Sequence, residues 1–170
     1  MPRNLELKAP LSSRTAGVAI ARSLGARNKG RLYHTDTYFR VPAGRLKLRE
    51  FRGGRSELIS YTRPNNRGAR VSQYNISRVH NAREMKRALT DVFGAVVVVR
   101  KRRELYTLKN ARIHLDQVAG LGSYIEFEVI VRHGLPQAKR LINVLKTAFS
   151  VHDRDCVGTS YSTMLVNLSR

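Results

Sequence analysis

Acidic residues, cysteine and long apolar runs are all scarce in this sequence. Only 12 acidic residues accompany 32 basic ones, which gives a formal net charge of +20. An excess of this size indicates an anionic partner such as nucleic acid, polyphosphate or a nucleotide. Charge alone does not choose among these partners, because specificity comes from groups placed at particular positions.

The scarcity of cysteine and of apolar runs bears on where the protein works. The single cysteine, Cys156, cannot form a disulfide within the chain, and we expect it to be a small buried residue in a reducing compartment. The first eight residues lack the apolar run of a signal peptide, and the most apolar stretch, 94–99, is too short to span a bilayer. We therefore expect a cytoplasmic protein without membrane insertion.

The length of 170 residues predicts a single domain, residues 1–170, that is large enough to form a core. The sequence leaves the oligomeric state open, with a homodimer as one option.

The segment from Gly44 to Glu50 alternates cationic residues with leucines. In a β-strand, side chains switch faces at every residue, so Arg45, Lys47 and Arg49 share one face while the leucines share the other. Like charges about 7 Å apart repel unless an anion offsets them. A solvated surface strand would explain this segment by itself, but the same pattern recurs in other predicted strands.

Eight strands and three longer helices are predicted along the chain. The expected strands are 4–8, 31–41, 44–50, 57–64, 70–78, 96–105, 110–118 and 123–131. Helices are expected at 12–24, 81–94 and 136–149, with a short final helix near 161–166. Short links favour an antiparallel sheet, and eight strands suffice to close a barrel. The predicted fold class is therefore α+β: a closed eight-stranded antiparallel barrel with helices packed outside.

The charged faces of these strands collect both signs of charge. The cations are Lys8, Arg45, Lys47, Arg49, Arg63, Lys101, Arg103 and Arg112, and the acids are Glu6, Asp116, Glu126 and Glu128. Such a cationic surplus suits several phosphates along one groove. The carboxylates suit a hard cation such as Mg²⁺ or Mn²⁺ held together with phosphate oxygens.

Six short segments carry a resemblance to a known superfamily. They are Asn4-x-Glu6-x-Lys8, His34-Thr-Asp36-Thr-Tyr38-Phe39, the segment 44–50, Arg112-Ile-His-Leu-Asp116, Gly120-Leu-Gly122 and Glu126-Phe-Glu128. Together they resemble the CYTH, or triphosphate tunnel metalloenzyme, superfamily over nearly the entire chain. That superfamily includes class IV adenylate cyclase, thiamine triphosphatase, inorganic tripolyphosphatase and fungal-type RNA triphosphatase.

The resemblance implies a tunnel in which basic residues bind a triphosphate and carboxylates bind Mg²⁺ or Mn²⁺. The eight cations named above are the implied phosphate ligands, and the implied metal ligands are Glu6, Asp116, Glu126 and Glu128. Lys47 and Asp116 are the implied catalytic residues. Two reactions remain open: cyclisation of ATP to cyclic AMP and pyrophosphate, or hydrolysis of tripolyphosphate, thiamine triphosphate or a nucleoside triphosphate.

One departure from the superfamily pattern concerns metal binding. The usual opening is Glu-x-Glu-x-Lys, and here Asn4 replaces the first Glu with a neutral oxygen, which weakens the expected metal site. The His-Phe pair that often precedes this motif in class IV cyclases is also absent. Asp36 and Tyr38 are expected to hold the tunnel entrance, and His114 is expected to be structural.

The rival hypothesis is a non-catalytic module that binds polyphosphate or nucleic acid on a basic exterior. Its candidate contacts are Arg67, Arg70, Arg100, Arg102 and Lys139. Binding of that kind weakens steeply with salt, whereas a buried metal–triphosphate complex responds less.

Overall fold

The computed structural model describes residues 1–169. Its strands are β1 (Arg3–Pro10), β2 (Arg27–Phe39), β3 (Arg45–Phe51), β4 (Ser56–Thr62), β5 (Arg70–Val79), β6 (Ala95–Leu108), β7 (Ala111–Val118) and β8 (Gly122–Ile130). Its α-helices are α1 (Arg14–Ser23), α2 (Ala82–Phe93), α3 (Leu135–Ala148) and α4 (Tyr161–Leu168). Across residues 1–169, none of the helices has the length and apolar character needed to cross a bilayer.

The eight strands close into an antiparallel barrel, which confirms the predicted fold class. Their order around the barrel is β1-β5-β4-β3-β2-β6-β7-β8. The strands form two meanders, β2 to β5 and β6 to β8, because short links join consecutive strands there. The barrel closes where β2 pairs with β6 and where β1 lies between β5 and β8.

The main apolar core lies outside the barrel wall. Leu5, Ile113 and Phe127 point outwards from β1, β7 and β8, and α3 covers them with Ile142 and Leu145. Helix α1 adds Ala21 from the neighbouring side, and the predicted buried Cys156 joins the same cluster. The helices thus remove the apolar strand faces from water, and the charged faces are left to line the interior.

A smaller core lies under α2. Met85 and Leu89 pack against Phe39 and Leu48 on the outer face of β2 and β3. The sequence repeats apolar residues at helical spacing here, which predicts one buried face made of Met85, Ala88, Leu89 and Val92, but the structure leaves Val92 73% exposed. The prediction is wrong for Val92, because the described core under α2 is formed by Ala82, Met85 and Leu89.

Some strand limits also differ from the sequence-based ones. Strand β2 begins at Arg27 instead of Arg31, and its first five residues are exposed and carry no apolar alternation that could reveal them. A bulge between Asn28 and Arg31 accommodates Gly30 with a φ of +93°. Strand β4 ends at Thr62, so Arg63 extends from the following loop.

Helix α4 closes one end of the barrel. Ser160 caps its first turn, since its side chain accepts a hydrogen bond from the Thr163 backbone N–H. Tyr161 packs there with Tyr38 and Val99, which point inwards from β2 and β6. The sequence predicted a short helix at this place but not that it seals the barrel.

Neighbouring residues of α3 allow a direct test of the external core. We predict that Leu145→Ala lowers the free energy of unfolding by about 2–5 kcal/mol, because its fully buried side chain would leave a cavity between α3 and the sheet. Val144→Ala is the matched control; its side chain is 54% exposed, so we expect a change within about 0.5 kcal/mol. Urea unfolding followed by circular dichroism measures both, and equal effects would contradict this packing.

Candidate functional site

The barrel encloses a cavity of about 240 Å³ that is open at one end. Residues at alternate positions of all eight strands supply its wall. Ser160 and Tyr161 line the closed end, while Arg55 and Ile76 lie at the mouth. A ligand therefore enters from the end opposite α4.

Cations dominate the lining of this cavity. The lining cations are Lys8, Lys47, Arg49, Arg55, Arg63, Lys101, Arg103 and Arg112, and the lining carboxylates are Glu6, Glu126 and Glu128. Two further carboxylates, Asp36 and Asp116, bind lining cations from within the wall. Eight cations thus meet five carboxylates, and the surplus favours an anionic ligand.

The predicted residues converge on this cavity with two exceptions. Arg45 lies at the edge of the closed end, where its guanidinium donates to the Arg63 carbonyl at 3.3 Å and to Asn65 Oδ1 at 2.5 Å. Asp116 lies behind Arg103 and is almost fully buried. Arg55 joins the lining although the sequence singled it out by no motif. The individual roles assigned to these residues remain predictions.

Asp36 orients three of the cations from a position inside the wall. It accepts two hydrogen bonds from Arg49, at 2.7 and 2.8 Å, and one from Lys47 at 3.0 Å. Lys101 Nζ lies 3.8 Å from the same carboxylate. Burial alone would raise the pKa of Asp36, but Arg49, Lys47 and Lys101 hold it well below its usual range.

The expectation that Asp36 and Tyr38 guard the entrance is wrong. Asp36 is 0% exposed, and Tyr38 lies at the closed end beside Tyr161. The period-two pattern correctly predicts that the side chains of Asp36 and Tyr38 share one strand face. It does not indicate which end of the barrel is open.

Asp116 and Glu126 clamp Arg103 from two sides. Arg103 donates two hydrogen bonds of 2.7 Å to Asp116 and one of 2.8 Å to Glu126. Tyr161 donates a further bond of 3.0 Å to Asp116. Arg103 and Lys101 outweigh the opposing effect of burial and lower the pKa of Asp116 to about 2. Both oxygens of Asp116 are therefore already engaged, and in this geometry the residue positions Arg103.

A group of possible metal ligands lies on β7 and β8. Nδ1 of His114 is 3.7 Å from Glu126 Oε2 and 3.9 Å from Glu128 Oε1. One potential ligand atom from each of these residues lies within 4.8 Å of the others. The register of β7 against β8 pairs His114 with Glu126 directly, which the spacing of single residues could not reveal. The expectation that His114 is structural did not take this register into account, and a role in metal binding remains a prediction.

Glu6 completes the acidic side of the cavity from β1. Burial, followed by the nearby charges of Glu128 and Glu126, raises its pKa, although Arg63 donates a hydrogen bond of 2.8 Å to it. Burial opposes the ionisation of Glu126 as well, but Lys8, His114 and Arg103 keep its pKa well below the usual range.

Two unpartnered polar atoms test whether this group suits a divalent ion. Nδ1 of His114 and Oδ1 of Asn4 are buried without a hydrogen-bond partner among the described residues. A buried polar atom without a partner costs free energy unless a ligand satisfies it. One imidazole nitrogen and two carboxylates form a set of ligand atoms that suits a divalent ion.

Two lysines near the sealed end of the cavity have lowered pKa values. Lys8 Nζ is 3.8 Å from the ring centre of Tyr161, and Lys101 Nζ is 5.2 Å from it. Burial lowers the pKa of Lys101 to about 7, with Arg103 acting in the same direction. Burial lowers the pKa of Lys8 to about 8 against the opposing pull of Glu126. An anion beside these lysines would favour their charged forms and raise both pKa values.

His34 and Arg70 are two further buried polar residues. Both ring nitrogens of His34 are without a partner in the described structure, and its ring meets Phe51 edge-on at 4.7 Å. Burial, with Arg49 and Lys101 nearby, lowers the pKa of His34 far enough to keep the ring neutral. Arg70 was expected on the surface, but it is buried and donates to the Gly158 carbonyl, so that expectation is wrong.

Four apolar side chains lie at the mouth of the cavity, beside Arg55 and the Arg112–Glu128 ion pair. They are Leu32, Phe51, Ile76 and Leu105. Ile76 keeps 52% of its surface exposed, although it lies on the inward face of β5. The cavity therefore becomes more apolar from its depth towards its opening.

Solved structures of similar shape support the fold. The PH1012 protein from Pyrococcus horikoshii OT3 is 21% identical, with a TM-score of 0.85 over 94% of this chain and 98% of that chain. A protein from Vibrio parahaemolyticus, provisionally described as an adenylate cyclase, is 17% identical, with a TM-score of 0.77 over 95% and 97%. The Hippeastrum protein HpAC1, reported to have a dominant triphosphatase activity, is 14% identical, with a TM-score of 0.67 over 99% and 96%.

The sequence comparisons establish the family. No curated protein matches this sequence at a significant level. The CYTH domain family matches residues 2–142, which include the cavity residues of all eight strands. The chain therefore belongs to the CYTH domain family.

Proposed function

We propose that this chain is a metal-dependent enzyme that binds an organic triphosphate inside its barrel and transforms it there. The observation that carries the proposal is that one cavity, closed at one end, combines a cationic wall with the cluster of His114, Glu126 and Glu128. A chain of phosphates would supply the negative charge that balances the cationic wall. A divalent ion bound to those phosphates would be held by His114, Glu126 and Glu128.

The arginines and lysines of the cavity would bind phosphate differently. A planar guanidinium can donate two parallel hydrogen bonds, whereas a lysine ammonium acts as a point charge. Arg49 and Arg103 are each held by two parallel hydrogen bonds to one carboxylate, so little rotamer entropy remains to be lost when phosphate oxygens bind. Lys47 lies between Asp36 and the Tyr38 hydroxyl, at 3.0 and 3.4 Å, and would stabilise charge on a transferring phosphoryl group.

A divalent ion held by the candidate metal ligands is the second part of the proposed mechanism. His114, Glu126 and Glu128 would hold a divalent ion, and Glu6 and Asn4 lie on the adjacent strand with further oxygens. When bound, the ion would polarise a phosphoryl oxygen as a Lewis acid. Asp116 acts through Arg103, whose guanidinium it aims at the same region.

The shape of the cavity favours an organic substituent on the triphosphate. Ser160 and Tyr161 seal the cationic end, so any group beyond the phosphates has to lie at the mouth. There it meets Leu32, Ile76 and Leu105, which offer apolar contact that inorganic tripolyphosphate could not use. Hydrolysis at the γ-phosphorus and cyclisation at the α-phosphorus use the same phosphate contacts, and the product distinguishes them.

The substrate prediction is tested with ATP, GTP, thiamine triphosphate and tripolyphosphate, each with Mn²⁺ or Mg²⁺. We expect kcat/KM for one organic triphosphate to exceed that for tripolyphosphate by about tenfold or more, as two buried apolar contacts would give. Separation of orthophosphate from cyclic nucleotide identifies the reaction. Equal or better turnover of tripolyphosphate than of every organic substrate would contradict an organic specificity.

A variant at the mouth provides the control for that panel. Ile76→Ser should lower kcat/KM for the preferred organic triphosphate about 3- to 10-fold and leave tripolyphosphate unchanged, since Ile76 offers apolar contact at the mouth and no charge to the phosphates. Val92→Ser removes a comparably exposed apolar side chain outside the cavity and should change neither value.

Metal binding should depend on His114 as well as on the carboxylates. We predict that His114→Ala and Glu128→Gln each weaken Mn²⁺ binding by at least about tenfold, because each removes one ligand of the cluster. Titration of Mn²⁺ followed by electron paramagnetic resonance measures this without any turnover. Glu84→Gln on α2 removes an exposed carboxylate and serves as the control. Unchanged Mn²⁺ affinity in His114→Ala would place the ion elsewhere.

Anion binding should take up protons near neutral pH. At about pH 8, Lys101, with a pKa of about 7, is mostly uncharged in the free protein, and bound phosphate favours its charged form. Tripolyphosphate affinity in the presence of a chelator should therefore fall as pH rises above about 7.

Calorimetry in two buffers of different ionisation enthalpy measures this proton uptake. Lys101→Arg should remove much of it, because a guanidinium keeps its charge in this pH range. Lys109→Arg, on an exposed turn, should retain the full uptake. Binding without any net proton uptake would show that Lys101 does not meet the anion.

A further inference from the structure

A second basic surface lies on the outer face of the barrel, separate from the cavity. It forms a groove over β2, β3 and β6 beside α2, and we refer to it as the outer groove. Its residues include Tyr33, Arg52, Lys86, Arg100, Arg102 and Gln117. Arg100 and Arg102 alternate along β6 with the cavity-lining Lys101 and Arg103, so the barrel wall separates the two sites.

The cations of the outer groove are not neutralised by the protein itself. Arg52, Arg100 and Arg102 form no salt bridge with any carboxylate of residues 1–169. The groove contains one acidic residue, Glu50, and Lys86 already pairs with it. Three guanidinium groups in one groove therefore remain available to an anion.

The aromatic component of the outer groove distinguishes it from a plain basic patch. The Arg52 guanidinium lies over the ring of Tyr33, 4.2 Å from its centre. The Arg52 backbone N–H also donates to the Tyr33 carbonyl at 3.1 Å, which fixes the loop beside the strand. Tyr33 pairs across the sheet with Arg102, so a second cation neighbours it on β6, while Arg52 covers one face of its ring.

The distribution of charge over the whole chain also indicates an anionic partner outside the cavity. Eight cations and five carboxylates belong to the cavity. This leaves 24 of the 32 basic residues and 7 of the 12 acidic residues outside it. Most of the net charge of +20 thus lies where a triphosphate in the barrel would not contact it.

We propose that the outer groove binds single-stranded nucleic acid. Arg52, Arg100 and Arg102 contact backbone phosphates, and Tyr33 offers its ring to a base. A cationic groove combined with an aromatic ring is the arrangement that such binding uses. Inorganic polyphosphate has the same charge but no base to place against Tyr33. The proposal is independent of the reaction in the barrel.

Fluorescence anisotropy with a labelled oligouridylate of about 12 nucleotides tests the proposal. The oligonucleotide carries a 5′-hydroxyl, so it presents no triphosphate to the cavity. We expect R100E/R102E to weaken binding by about tenfold or more, and to reduce the slope of log K against log salt by about one to two. Tyr33→Leu should weaken binding about 5- to 100-fold with little change in that slope.

The matched control carries the same change in charge at another site. K139E/R140E alters two exposed cations of α3, which packs against β1 and β8 instead of β2 and β6. We expect its affinity to stay within about threefold of the parent protein, because salt screens distant charges. Thermal unfolding of each variant establishes that the fold is retained.

Two results would overturn the proposal. Equal losses in R100E/R102E and K139E/R140E would show that the whole surface attracts the oligonucleotide without a defined site. Unchanged affinity in Tyr33→Leu would show that no base stacks there, and the groove would then not recognise nucleic acid as such.

Discussion

Charge compensation inside the barrel is the constraint on which the rest of the structure depends. Buried guanidinium and ammonium groups are costly unless carboxylates face them. Asp36 and Asp116 meet this need from within the wall, where they hold Arg49, Lys47 and Arg103 in fixed orientations. Eight cations face five carboxylates, so the charge compensation is incomplete. The surplus of positive charge favours binding of a polyanion in the cavity.

An interior of this kind is compatible with a stable fold because the apolar core lies elsewhere. Leu5, Phe127 and Leu145 are buried between the barrel wall and α3, so burial of apolar surface does not compete with the cavity for space. Helix α4 also shapes the cavity, in addition to packing against the barrel. By sealing one end with Tyr161, it limits the cavity to a single mouth and lowers the polarity around Lys8 and Lys101.

The period-two alternation of the sequence was enough to predict the barrel and most of its lining. It identified seven of the eight cavity cations, because alternation determines which face a side chain occupies. It could not reveal neighbours across strands, since these depend on register. His114 beside Glu126 and Asp36 beside Arg49 both arise from register. The sealing by α4 and the burial of Arg70 depend on where the C-terminal segment packs, which no local pattern records.

The most direct test of the account is a crystal structure of the protein with Mn²⁺ and a non-hydrolysable nucleoside triphosphate analogue. Anomalous scattering locates the ion independently of any assumption about the site. We predict an Mn²⁺ peak in contact with His114, Glu126 and Glu128, with the phosphates against Lys47, Arg49 and Arg103 and the organic group at the mouth. A triphosphate bound only on the outer surface, with no anomalous peak in the barrel, would contradict the account.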